Sequence, residues 1–379
     1  MVLADRPKPR IALAHDWLCG YRGGEAVLEH IAALVRERYD PAALYVMFDD
    51  QRPLASHVDS LTHVPSPLNH IPLAPTRLRR WLLPLYPFAV SQLGAALARD
   101  HKRAPIDLLI STSSAAIGGL RPPPGVPHLC YCHAPARYVW TIQDEYAHSR
   151  AALGLRLFGP SFRRWDRRTA ANVTTFLANS AYTAAQIRRC YDRDADVVHP
   201  PVRTDFFTPP AAPARTDHWL IVSALEPYKR VEVAIVGANR ASRPLTVIGD
   251  GSQRRALEAL AGPTVRFLGR VNGETLREHY RTARLLLFPQ IEDFGIVAIE
   301  AQACGLPVVA RRLGGALETV IEGSTGAFFD DATPDAIVEA ASRCPRSADA
   351  ACRANAERFS ERAFHDAMLT HIARALAHS

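Results

Sequence analysis

The sequence predicts an α/β protein built from two doubly wound, parallel-sheet domains joined by a proline-rich hinge. Three observations carry this prediction. A chain of 379 residues is too long for one ordinary core and suits two domains of roughly 150 to 200 residues. Short, continuous apolar runs alternate with helical patterns from end to end, the signature of parallel strands covered on both faces. Between two such sets lies "VVHPPVRTDFFTPPAAPARTDHW", whose five prolines fix φ and remove backbone donors.

In chain order, "RIALAHDW" reads as a strand and "GGEAVLEHIAALVRERY" as a helix opened by glycines. "IDLLIST", "HLCYCH" and "TTFLANS" are strand-like runs that each end in polar residues. The second half repeats the style with "HWLIVSAL", "PLTVIGDG", "VRFLG", "ARLLLFP" and "PVVAR". Phe364, Met368 and Ile372 stand at helical spacing in the tail. The predicted organisation is a first Rossmann-like domain over 1–200, a hinge over 201–215, a second Rossmann-like domain over 216–360, and a terminal helix over 361–379 that crosses back to the first domain.

Composition narrows the class. Hydrophobic residues make up 48% and charged residues 22%, ordinary for a folded domain with a large core. The seven cysteines are dispersed, and the start offers only Ile11–Ala14 as an uninterrupted apolar run, far short of an export signal. A reduced, cytosolic protein is expected. No stretch approaches the roughly 20 apolar residues that span a bilayer. The net charge of +7 is uneven: residues 1–200 carry 24 Lys and Arg against 17 Asp and Glu, whereas 201–379 carry 21 of each. A basic half beside a neutral one fits either an acidic partner or a solvated, arginine-rich surface.

Ligands of open α/β sheets bind where strand ends feed helix starts, so the residues at those points are the candidates. After the first strand come His15 and Asp16, then "GYRGGE", where Gly23 and Gly24 permit close approach of a ligand to free N–H groups. The same pair also serves a tight turn. His133 follows "HLCYC" and can meet a hydroxyl or carry a proton, or fill a structural role. Cys130, Cys132 and His133 do not suggest zinc, because the cysteines have strand period and no second ligand pair matches. Lys229, in "EPYKR", is one of only three lysines beside 42 arginines. With Arg230 it would suit a diphosphate. Gly249 and Gly251 open another helix, and Gly269, Arg270 and Val271 could offer backbone groups to a base edge.

"PQIEDFGIVAIEAQACGLPVVA" holds two glutamates eight positions apart. Glu292 lies in a loop after a buried strand, Asp293-Phe294-Gly295-Ile296 begins a slim helix, and Glu300 lies roughly 9 Å further along its axis. That spacing fits one ligand with a sugar near Glu292, an anionic centre at the helix start, and a ribose near Glu300. Asp293-Phe294-Gly295 is not a kinase motif, since the glycine-rich loop, the Val-Ala-Ile-Lys strand and the His-Arg-Asp loop are absent in order.

Taken together, "HDWLCGYRGGEAVLE", "CHAPARYVW", "LANSAYTA", "HPPVRTDFF", "EPYKR" and "EDFGIVAIEAQACGLPVVA" closely resemble glycosyltransferase family 4, over nearly the whole chain. Within it the chain is most similar to bacterial mannosyltransferases of O-antigen and exopolysaccharide assembly. The resemblance implies the GT-B fold, two Rossmann-like domains facing a cleft, and a retaining, metal-independent hexosyltransferase without cofactor. It implies that Glu292 and the 294–296 backbone hold the donor sugar, that Glu300 binds ribose, and that Lys229 and Arg230 clamp the diphosphate. His133 would meet the sugar's hydroxymethyl end, with Gly23 and Gly24 lining the cleft. The donor phosphate would take the acceptor's proton in a front-face displacement. One departure stands out: many members carry arginine where this chain has Ala224.

The partners implied are a nucleotide sugar, GDP-mannose foremost, and a lipid-linked or glycan acceptor. The basic-aromatic segments Arg77–Val90 and Leu155–Arg168 suit an anionic bilayer surface, placing the protein on the cytoplasmic face of the inner membrane. Rival readings are a GT-B enzyme using a UDP- or ADP-sugar, an epimerase, a phosphorylase (for which few lysines exist to hold pyridoxal) and a dead sugar-nucleotide-binding module. A basic nucleic-acid-binding protein is disfavoured by the neutral second half and the lack of a recognition motif.

Overall fold

The computed structural model describes residues 8–79, 81–140, 151–211 and 215–377. Contacts divide the chain into two compact units at His199/Pro200, with the terminal segment from Phe364 onward belonging to the first. Residues 212–214 of the expected hinge lie outside the described residues, and the remainder of 201–215 falls within the second unit.

The first unit holds strands β1 (Arg10–Leu18), β2 (Asp40–Asp49), β3 (Thr62–Pro65), β4 (Leu108–Ser113), β5 (His128–Cys132), β6 (Thr175–Ala178) and β7 (Ala195–Val197). They form one parallel sheet in the order β3-β2-β1-β4-β5-β6-β7. The second unit holds β8 (Trp219–Val222), β9 (Leu245–Ile248), β10 (Val265–Gly269), β11 (Leu285–Phe288), β12 (Val308–Arg311) and β13 (Gly326–Phe329), ordered β10-β9-β8-β11-β12-β13. Each sheet therefore reverses direction beside its first strand, between β1 and β4 and between β8 and β11. This is the switch point at which doubly wound sheets open a crevice for ligands.

Side-chain alternation explains the continuous apolar runs. Ala12 and Ala14 face one core with Tyr45, Leu109 and helix Tyr86–Arg103, while Ile11 and Leu13 face another with Leu44, Val46 and helix Gly23–Arg38. Phe364, Met368 and Ile372 of the terminal helix Glu361–Ala377 join that second core and are buried. In the second unit Leu286, Phe288, Val308 and Ala310 face the core that contains Ala298, Ile299 and Ala301, whereas Leu285, Leu287 and Val309 face the opposite one. A strand buried on both faces needs apolar residues at every position.

Four strands, β2, β3, β7 and β13, were not among the predicted runs. β3 begins in polar residues, β7 is partly exposed, and β13 is the edge segment "GAFF" beginning in glycine. β1 also continues through His15 and Asp16 to Leu18, so both residues sit inside the strand near its end. No helix among the described residues is long and apolar enough to cross a membrane.

Candidate functional site

At the second unit's switch point, the chain leaving β8 turns through a short 3-10 helix, Pro227–Lys229. The chain leaving β11 runs through Pro289–Gly295 into helix Ile296–Ala303. The two loops meet in an ion pair between Lys229 Nζ and Glu292 Oε1. Both side chains are well covered, at 11% and 21% exposure. Lys229 Nζ also lies 4.9 Å from the centre of the Tyr228 ring. A shielded pair is far less screened than a surface one, so this ammonium is held at a defined point.

Glycines shape the floor. Gly249 adopts φ +133°, and a Cβ there would lie 1.8 Å from the Ser223 carbonyl oxygen. Its N–H donates to the Gly269 carbonyl at 2.8 Å. The loops after β8, β9 and β10 are thus stacked backbone on backbone, with Gly251 pressed on Leu225 in the same way. Arg270 is exposed, and Val271 packs beside the core.

Gly295, at φ +95°, caps the helix Ile296–Ala303, where a side chain would strike Phe288. Phe294 is buried edge-to-face on Phe359, and Asp293 and Ile296 are half-buried. A second glycine pair, which sequence reasoning missed, clasps this loop. The Gly315 N–H donates to the Glu292 carbonyl at 2.9 Å. A Cβ at Gly314 would lie 2.5 Å from that same carbonyl oxygen, and one at Gly315 would lie 2.4 Å from Phe294 Cα. The available signal was the pair in "RRLGGALE" just past the predicted strand "PVVAR".

Glu300, the fifth residue of its helix, accepts a hydrogen bond from the Tyr280 hydroxyl at 3.1 Å. Burial raises its carboxyl above the usual range, opposed by that hydroxyl and by the Arg203 guanidinium. Tyr280 is fully buried on helix Gly273–Thr282, and no local sequence pattern links it to Glu300. Arg203 and Arg277 stack on Phe206, with guanidinium carbons 4.7 and 4.6 Å from the ring centre.

Other candidates are placed differently. Arg230 takes a left-handed backbone conformation and pairs its guanidinium with Glu232 at 2.6 Å, an exposed contact that does not join the Lys229–Glu292 pair. Ala224 is exposed. Gly23, Gly24 and His133 lie in the first unit. There a Cβ on Gly24 would meet His133 Nε2 at 3.6 Å, and burial drives the His133 imidazole down to about 3, helped by His15 and Arg137. Asp16 is buried, and its carboxylate accepts from the N–H groups of Ser114, Ala115, Ala116 and Ile117 at 2.6–2.9 Å. Among the described residues, no three His, Cys, Asp or Glu side chains gather as a metal site.

Comparison with known proteins agrees with this architecture. Residues 21–206 match "Glycosyltransferase Family 4" and residues 203–363 match "Glycosyl transferases group 1". A D-inositol 3-phosphate glycosyltransferase of Mycolicibacterium smegmatis is 31% identical over 240 residues, 56% of this chain and 55% of that protein. From the same organism, a GDP-mannose-dependent alpha-(1-6)-phosphatidylinositol monomannoside mannosyltransferase is 34% identical over 200 residues, 45% of this chain and 52% of that protein. The matched part spans about half the length of these curated relatives. Among solved structures, a sucrose-phosphate synthase from Thermosynechococcus elongatus superposes with a TM-score of 0.75 at 18% identity, covering 98% of this chain and 100% of that one. That likeness establishes the fold as GT-B, with two Rossmann-like parallel-sheet domains. The two adjoining family matches together run from 21 to 363, and the chain belongs to glycosyltransferase family 4.

Proposed function

We propose that the protein is a retaining hexosyltransferase that moves mannose from GDP-mannose to a lipid-linked or glycan acceptor in cell-surface polysaccharide synthesis. The observation that carries this reading is the shielded Lys229–Glu292 pair at the second unit's switch point, with Glu300 on the helix that starts just beyond it. Lys229 would balance the leaving diphosphate, and Glu292, already oriented by the ammonium, would accept from sugar hydroxyls. The Gly295–Ile296 backbone would face the donor, and Glu300 with Tyr280 would take the ribose. Arg230 would reach the diphosphate by exchanging Glu232 for it. His133 and Gly24, in the first unit, are proposed as further sugar-binding residues. The donor's own phosphate would remove the acceptor proton, and no metal or cofactor is required by this scheme.

The mannosyl choice draws support from the GDP-mannose-dependent relative and from the "HDW" and "CHAPARYVW" stretches. Peripheral contact with the cytoplasmic face of an anionic membrane is part of the same proposal. It is supported by exposed Trp81, Leu85, Phe88 and Phe158, in segments whose sequence also carries Arg79, Arg163, Arg164, Arg167 and Arg168. Of those two segments, Arg80 and the side chains of Arg77 and residues 155–157 lie outside the described residues.

A thermal-shift panel of GDP-mannose against UDP- and ADP-sugars tests the donor. A ligand at 100 times its Kd adds about 2.7 kcal/mol to stability, and GDP-mannose is expected to give the largest shift. A larger shift with a UDP- or ADP-sugar would transfer the assignment to that donor class. Lys229→Ala leaves Glu292 without its counter-charge and should cut turnover about 100-fold. Near-normal turnover in Lys229→Ala or Glu292→Gln would remove this pair from the site.

A further inference from the structure

Among the described residues, the first unit contains three buried imidazole nitrogens without a hydrogen-bond partner: His128 Nδ1 at the start of β5, and His15 Nε2 and His133 Nε2 toward the opposite strand ends. His15 is 3% exposed, and its Nδ1 sits 3.2 Å from the Thr112 carbonyl oxygen and 2.5 Å from Thr112 Oγ1. Its Nε2 is buried with no hydrogen-bond partner among the described residues, and the same holds for His133 Nε2. Buried polar nitrogens are ordinarily satisfied, so two orphans close together point to a ligand.

Strand alternation places them together. His15 follows Ile11 and Leu13, and His133 follows Leu129 and Tyr131, on the one sheet face that helix Gly23–Arg38 covers. Both stand toward the carboxyl ends of their strands, His15 paired with Thr112 on β4 and His133 donating its N–H to the Ser113 carbonyl at 2.8 Å. A Cβ on Gly24, in the first turn of that helix, would stand 3.6 Å from His133 Nε2, in ordinary contact with it.

We infer that His15 and His133 form a paired-imidazole subsite that binds the uncharged hydroxyls of a hexose. Resting on the glycosyltransferase reading, this makes His15 a second sugar-binding residue of the first unit. Hydroxyls both donate and accept, so they satisfy either tautomer of each ring. A phosphate is the competing ligand, given the helix start and the Arg137 guanidinium that acts on His133, but the nearby carboxylates oppose it. The N–H groups after β4 are already filled by the Asp16 carboxylate. The Glu25 carboxylate, itself buried, accepts from the Arg22 N–H at 3.0 Å in the helix's first turn. Burial also lowers both imidazoles from their ordinary value, leaving them neutral at pH 7.

The test is 15N-histidine NMR on the full chain with methyl α-mannoside, methyl α-glucoside, GDP-mannose, UDP-glucose, GDP and inorganic phosphate. Nε2 resonances of His15 and His133 are expected to move together with the hexose-bearing probes and to stay in place with GDP or phosphate. His15→Phe should weaken the hexose contribution about five- to tenfold, one neutral hydrogen bond, while GDP affinity holds. If GDP-mannose or UDP-glucose affinity falls, the hexose is the donor's; if only the KM of a glycoside acceptor rises, it is the acceptor's. An unmoved His15 Nε2 with every hexose-bearing probe overturns the subsite, as does a shift with phosphate or GDP alone. A wild-type chain that no nucleotide sugar stabilises defeats the functional reading instead, and the methyl glycosides then decide the subsite independently.

Discussion

The two sheets share one strand order through their first six positions, yet their switch points are furnished in opposite ways. In the first unit the array of N–H groups after β4 is closed by the protein's own Asp16 carboxylate, while the nearby His15 Nε2 and His133 Nε2 have no partner among the described residues. In the second unit the facing loops bring an ammonium and a carboxylate together above stacked glycine turns. The same topology therefore yields a neutral, hydroxyl-seeking crevice in one unit and a charged crevice in the other. Topology supplies the location, and a few side chains decide the chemistry.

Four measurements break or sharpen this contrast. The largest effect is expected from Gly249→Ala. Its methyl group would fall on the Ser223 carbonyl at a φ of +133°, which only backbone movement relieves. A loss of about 3 kcal/mol in denaturant unfolding is expected, together with loss of nucleotide binding. Gly24→Ala, with 3.6 Å to its nearest neighbour, should be mild by comparison.

Asp16→Ala comes next. It leaves four N–H groups, three of them buried, without their acceptor, and about 2–3 kcal/mol of destabilisation should appear in the first unit. If the two crevices are furnished independently, the nucleotide-dependent thermal shift should survive; its loss would refute that independence.

A smaller, pH-dependent effect concerns Asp166. Burial raises its carboxyl to about 7, although Trp140 Nε1 and the Tyr191 hydroxyl both donate to it. Because its folded value lies above the unfolded value near 4, the native state holds the proton more tightly between those limits. Its contribution to stability is full at low pH and is lost as pH rises through about 7. Asp166→Asn keeps an acceptor oxygen and should remove this slope. His133, displaced downward, works in the opposite sense, losing stability as pH falls below its unfolded value near 6.5. The comparison must therefore be variant against wild type over pH 4–8. The smallest effect is expected from Arg230→Ala, whose exposed pair with Glu232 should contribute less than about 0.5 kcal/mol to folding. A clear loss of diphosphate affinity in that variant would show that Arg230 changes partner when the ligand arrives.

Much of this was legible in the residues themselves. Continuous apolar runs located nine of the thirteen strands among the described residues, because a strand covered on both faces cannot alternate. The runs failed where burial is one-sided or marginal, as in β3 and β7. Lys229 was recognisable as one of only three lysines, and Glu292 and Gly295 by the spacing of the two glutamates around a loop-to-helix junction. Tyr280, Gly314 and the acceptor role of Asp16 were not, since each acts on a partner between 20 and 98 or more positions away or through backbone contact alone.

What the sequence by itself determined is the α/β class, the two-unit plan and the identity of the ionisable groups near the strand ends. Those follow from local periodicity, from proline and glycine geometry and from composition. What only the tertiary structure decided is which of those groups are already satisfied. Asp16 is used up by its neighbours' N–H groups and Arg230 is turned to Glu232, while Lys229 meets Glu292 and the two imidazoles keep a nitrogen each. Hydrogen bonds and ion pairs form between residues distant in the chain, and their partners are set by strand order and register, which local sequence does not encode.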